Sequence, residues 1–168
     1  MRRVVIATLL VLIGVPLASQ GASADLARVT EVVTSSKGWV VTLSIAKTSL
    51  RAGSSMPATV TIVNKTGHNV RVEGCASDET FAVGIGNAKV PYTFFSGAVA
   101  CVTTLHEGSN VFHERIVATY QICGGQGNPA CGPGSPKLPT GRYHTVVAWV
   151  SALPSIPKPG ALWVTVTT

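Results

Sequence analysis

Hydrophobic and polar positions alternate with a period of two over most of the chain. In Trp39-Val40-Val41-Thr42-Leu43-Ser44-Ile45, the residues Trp39, Val41, Leu43 and Ile45 fall on one side and Val40, Thr42 and Ser44 on the other. This is the signature of a strand with one buried face. Ser49 to Pro57 reads as a loop, with Gly53 and two serines. Ala58 to Val63 then alternates again with Val60 and Ile62 inward, and Asn64-Lys65-Thr66-Gly67 reads as a turn. With His68 to Glu73 resuming the pattern, residues 58–73 are expected to form a hairpin. Thr80 to Ile85 places Phe81, Val83 and Ile85 together. Val90 to Phe95 is an aromatic-rich piece, either strand or covered loop. After a turn at Glu107 to Asn110, Val111 to Tyr120 alternates with Phe112, Glu114, Ile116 and Ala118 on one side. Arg142 to Val150 and Ala161 to Thr167 complete the set, separated by Pro154, Pro157 and Pro159.

Seven to nine short strands with frequent turn signals and no amphipathic helix predict an all-β fold. The expected form is an antiparallel Ig-like Greek-key β-sandwich. Valine (24) and threonine (18) supply a quarter of the 168 residues, a bias that suits strands rather than a helical bundle. At Leu138-Pro139-Thr140-Gly141-Arg142-Tyr143 a loop opens into a strand. A tyrosine in that position can bond back to loop backbone and pin a crossover, as in immunoglobulin-like sandwiches.

Residues 1–24 read as a secretory signal peptide. Arg2 and Arg3 precede an apolar run from Val4 to Leu17, and Ala22-Ser23-Ala24 gives the small-residue cleavage pattern. Fourteen residues of helix reach about 21 Å, short of the roughly 30 Å hydrocarbon core. The expectation is a secreted or extracytoplasmic protein with residues 25–168 as one domain and no transmembrane segment after signal cleavage. Cleavage removes two of the thirteen Lys and Arg, leaving eleven against seven Asp and Glu. These cations are scattered with no run of three, which argues against nucleic acid as a partner. A weak attraction to anionic cell-surface polymers is compatible with the balance.

Export places the four cysteines in an oxidising setting, so an even count points to two disulfides before metal. Of three possible connectivities, Cys75–Cys101 with Cys123–Cys131 is favoured. The second pair brackets a Gly/Pro-rich loop, Gly124 to Ala130, that can fold back on itself.

Several features together resemble a known family. A strand runs into Asn64-Lys65-Thr66-Gly67 and then Val70-Arg71-Val72. Phe81-Ala82-Val83 follows, then Leu105-His106-Glu107-Gly108 before a long strand, and finally Leu138 to Tyr143. Over residues 56–150 this resembles the intracellular proteinase inhibitor (BsuPI) type domain and similar domains of exported actinobacterial proteins. The resemblance implies an Ig-like fold and raises a proteinase-inhibitor role as an alternative. It transfers no functional residue.

Catalytic patterns do not assemble. The nucleophile elbow G-x-S-x-G is absent, and His106-Glu107 and His113-Glu114 lack the H-E-x-x-H spacing of a zinc helix. A copper site in a sandwich calls for Cys, His and usually Met in late loops, whereas Met56 is early. Asp78 and Glu79 are adjacent and would face opposite sides of a strand. The expectation is no enzyme and no cofactor, and a binding module for an extracytoplasmic protein or cell-envelope component. A metal or redox carrier using His106, His113 and the cysteines is a second alternative. Candidate contact regions are the loop 123–131 with Gln126 and Asn128, the segment Pro91 to Ala100 with Tyr92, Phe94 and Phe95, and the proline segment 153–160.

Overall fold

The structure, a computed structural model, describes residues 30–75, 81–92, 99–124, 127–149 and 156–168. The expected signal peptide, Phe94, Phe95 and Gln126 lie outside them. Ten strands and no helix are found among the described residues, one strand more than the upper expectation. They are β1 (Thr30–Ser36), β2 (Trp39–Ile45), β3 (Ser49–Arg51), β4 (Ser55–Asn64), β5 (Val70–Cys75), β6 (Phe81–Gly86), β7 (Val99–Leu105), β8 (Gly108–Val117), β9 (Gly141–Trp149) and β10 (Trp163–Thr167).

One sheet has the order β1-β2-β4-β8 and a second the order β3-β10-β9-β6, while β5 and β7 form a separate pair. All pairings are antiparallel except β3 with β10, which run parallel. Between the two larger sheets lies a single core. From the first sheet come Trp39, Val41, Leu43, Ile45, Val60 and Ile62, and from the second Phe81, Val83, Tyr143, Val164 and Val166. Each fully buried Val, Leu or Ile contributes about 1.5–3 kcal/mol over its exposed state. Across the core the Phe81 and Phe112 rings meet with centroids 4.6 Å apart.

The expected face of β2 is the one that is buried; β6 is buried at all six positions rather than on one side, and on the expected side of β8 Ile116 is buried while Phe112 and Glu114 are only partly so. The hairpin over 58–73 is overturned. β4 pairs with β2 and β8, whereas β5 pairs with β7. The reason is Asn64, 1 % exposed at the end of β4. Its Nδ2 donates to the carbonyls of His68 (2.8 Å) and Leu105 (3.1 Å), and its Oδ1 accepts from the Thr66 amide (3.0 Å) and hydroxyl (2.7 Å). Because the side chain satisfies the turn and reaches the end of β7 as well, the chain leaves the β4 plane instead of folding back along it. The loop expected over 49–57 contains β3 and the start of β4. Ser49–Arg51 is strand because it lies beside β10, a neighbour local sequence does not reveal.

One disulfide, Cys123–Cys131, is present among the described side chains, not the two expected. The side chains of Cys75 and Cys101 lie outside the description. Their backbones are on paired strands, with Glu73 opposite Val102 and Cys75 opposite Val99 on either side of a register shift. No helix among the described residues is long and apolar enough to cross a membrane.

Candidate functional site

After β8 the chain makes a short return: Tyr120 N donates to Pro136 O (2.8 Å) and Leu138 N to Ala118 O (2.9 Å). The excursion between these rungs is the cysteine-bracketed loop. It is closed by the disulfide, with Cα atoms 4.9 Å apart, and by a bond from Gly124 N to Pro129 O (2.7 Å). Gly124 and Gly127 have φ of 69° and 80°, backbone that a side chain at either position would strain. The loop is therefore restrained at its base, while Gly127, Pro129 and Ala130 on it are exposed.

A second segment meets the loop from β6. Asn87 Oδ1 accepts from the amides of Lys89 (2.9 Å) and Val90 (2.8 Å), and Asn87 Nδ2 donates to Arg142 O (3.3 Å). This turn lays Tyr92 across the outer side of β6. A β-carbon at Gly84 would overlap three atoms of the Tyr92 ring, all well inside 3.0 Å. Glycine is what lets the ring lie on the strand. Tyr92, Tyr120, Ile122, Asn128 and Leu138 then line one narrow cleft, which joins Tyr92 and Asn128 from different parts of the sequence. The space a water can occupy there is about 10 Å3, room for one water and far below a small-molecule site.

Beneath this end lies Tyr143, whose hydroxyl donates to Pro139 O (2.8 Å). Burial, with nearby Tyr120 adding to it, raises the phenol above its ordinary value of 10.0, so it stays a neutral donor.

The remaining candidates separate. His113 sits in mid-β8 opposite Thr59, while His106 is in the preceding turn, where its amide donates to Asn110 Oδ1 (2.9 Å). Among the described residues no three His, Cys, Asp or Glu side chains come together as a metal site. Of the proline segment, residues 156–160 are described. Ile156 is buried in the core and Gly160 N donates to Thr34 Oγ1 (3.3 Å). Ile122, 36 % exposed on the cleft rim, escaped the sequence reading, because an isolated apolar residue beside a cysteine looks like core. An open depression of about 270 Å3 at the β1–β2 turn, flanked by Lys37 and Lys65, also escaped it. Its signal was Lys37-Gly38, a two-residue turn with φ of 45° and 83°.

No protein-family model matches the chain, and no curated sequence matches it either.

Proposed function

We propose that this protein is an exported, non-catalytic binding module that presents the Cys123–Cys131 loop and the adjoining cleft rim to a protein of the cell envelope. The observation that carries the reading is the doubly closed, exposed loop braced beside Tyr92. A loop restrained at its base loses little entropy on docking, and an exposed loop beside a one-water cleft suits a protein surface better than a small molecule. Tyr92, Ile122 and Asn128 form the contact set.

An Ig-like Greek-key arrangement is the frame proposed for it. The parallel β3–β10 pair and the Tyr143–Pro139 bond, which pins the loop entering β9, support that frame. A disulfide is compatible with an oxidising compartment. The test is recovery of partners from envelope extract on the immobilised oxidised protein, compared with Ile122→Arg. A partner retained by the native surface and lost from the variant supports the reading, and identical recovery opposes it.

The same loop favours one second reading, a proteinase inhibitor, since inhibitors of the standard kind offer a restrained loop to a protease cleft. A serine and metalloprotease panel with equimolar protein tests it. Unimpeded proteolysis across the panel removes this reading.

A further inference from the structure

The outer face of the second sheet carries chemistry that the loop does not use. None of the seven Asp and Glu residues falls within β3, β6, β9 or β10. That face instead presents Arg51 and Arg142, both exposed, with Ser49, Thr165 and Thr167 between them. Trp163 is opposite His144 on the same face and is 52 % exposed, an unusual position for the largest apolar side chain.

These side chains are mutually arranged. The Arg142 guanidinium carbon lies 4.0 Å from the Trp163 ring centroid. The His144 ring approaches the same indole edge-on, with centroids 6.0 Å apart at 76°. Stacking on an aromatic ring occupies the face of the guanidinium and leaves its N–H donors at the periphery. The contact shown for the Arg142 guanidinium among the described residues is with this ring, which leaves the edge of the fork as the part that meets an outside acceptor.

We propose that this face binds an acidic polysaccharide. The exposed part of the indole accepts the C–H face of a pyranose ring, the Arg142 fork takes a carboxylate of the sugar, and the Ser and Thr hydroxyls bond ring hydroxyls. Arg51 is two strands and two residues away from Arg142, about 12 Å along the sheet by standard spacings. A chain of sugars spans that distance and a single sugar does not. Polysaccharide is favoured over nucleic acid because two arginines neutralise few phosphates and, among the described residues, the face offers one exposed aromatic ring, Trp163, rather than a row.

The experiment is native gel electrophoresis of the oxidised protein through matrices holding polygalacturonate, neutral dextran or single-stranded poly(dT). Retardation is expected in polygalacturonate alone. Trp163→Ala and Arg142→Gln are each expected to weaken it about tenfold, and Trp163→Tyr to retain most of it. Lys37→Gln, which removes one charge elsewhere, is the control and is expected to change binding less than about twofold. Melting curves check that each variant is folded, and because Trp163 and Arg142 are exposed the curves are expected to overlay the parent's. No retardation in polygalacturonate, equal retardation in poly(dT), or a loss in Lys37→Gln matching that in Arg142→Gln overturns the proposal. The loop reading is untouched by any of these results, because its own test uses Ile122.

Discussion

Replacing Gly84 by Ala tests how the cleft is built. A methyl group there would enter the Tyr92 ring, with three ring atoms inside the 3.0 Å limit, so either the ring leaves β6 or the strand shifts. Gly84 does not have a positive φ, so the backbone accepts alanine and the cost is steric alone. Overpacking of this kind costs about 1–3 kcal/mol. For a domain of this size each kcal/mol lowers Tm by about 2–5 °C. The test is a double-mutant cycle by urea unfolding, comparing Gly84→Ala in the native background and in Tyr92→Ala. With the ring removed, the three nearest atoms are gone and the substitution is expected to be near neutral, giving a coupling of about 1–2 kcal/mol. Equal destabilisation in both backgrounds would refute the argument, because Gly84 would then matter for a reason unrelated to Tyr92.

Other outcomes follow from the same geometry. Asn64→Ala removes four hydrogen bonds and leaves the buried end of β7 without a donor, so a loss of about 2–3 kcal/mol is expected in chemical denaturation. Tyr143→Phe is expected to cost about 1 kcal/mol near neutral pH, since Pro139 is exposed and water can replace the lost donor. The raised Tyr143 pKa means the folded state holds its proton longer than the unfolded chain. Its stabilisation is therefore complete below pH 10.0 and declines as pH rises towards the folded pKa, a decline the Phe variant should lack when unfolding is followed through that range. Replacing Cys123 and Cys131 together by Ser is expected to lower stability by about 2.5 kcal/mol from loop closure alone. Peptide mapping without reduction should recover Cys75 joined to Cys101, and free thiols at both positions would contradict that pairing.

Much of the architecture could be read locally and some of it could not. Trp39 to Ile45 announces its buried face because alternation is a property of consecutive residues. Tyr143 announced its bond to Pro139 through a loop-to-strand signal contained within six residues. The supposed 58–73 hairpin misled because Asn64-Lys65-Thr66-Gly67 turns the chain without saying which strand lies beside it. That choice rests on the contact of Asn64 with Leu105, forty-one residues away. β3 is invisible for the same reason, since three residues become a strand only beside β10. At the site, Tyr92 and Asn128 could be picked individually for side-chain type and loop position. Their meeting at one cleft depends on Gly84 admitting a ring, which is a matter of packing that no local pattern encodes.

The central claim is that the restrained loop and its cleft rim are the contact surface. The most direct measurement places a photo-activatable residue at position 128 of the oxidised protein and irradiates it in envelope extract, with the same residue at Val111 on the opposite sheet as reference. The account predicts a discrete cross-linked protein from position 128, absent from position 111 and lost when Ile122→Arg is added. Cross-links of the same pattern from both positions, or persistence in the Ile122→Arg variant, would contradict it.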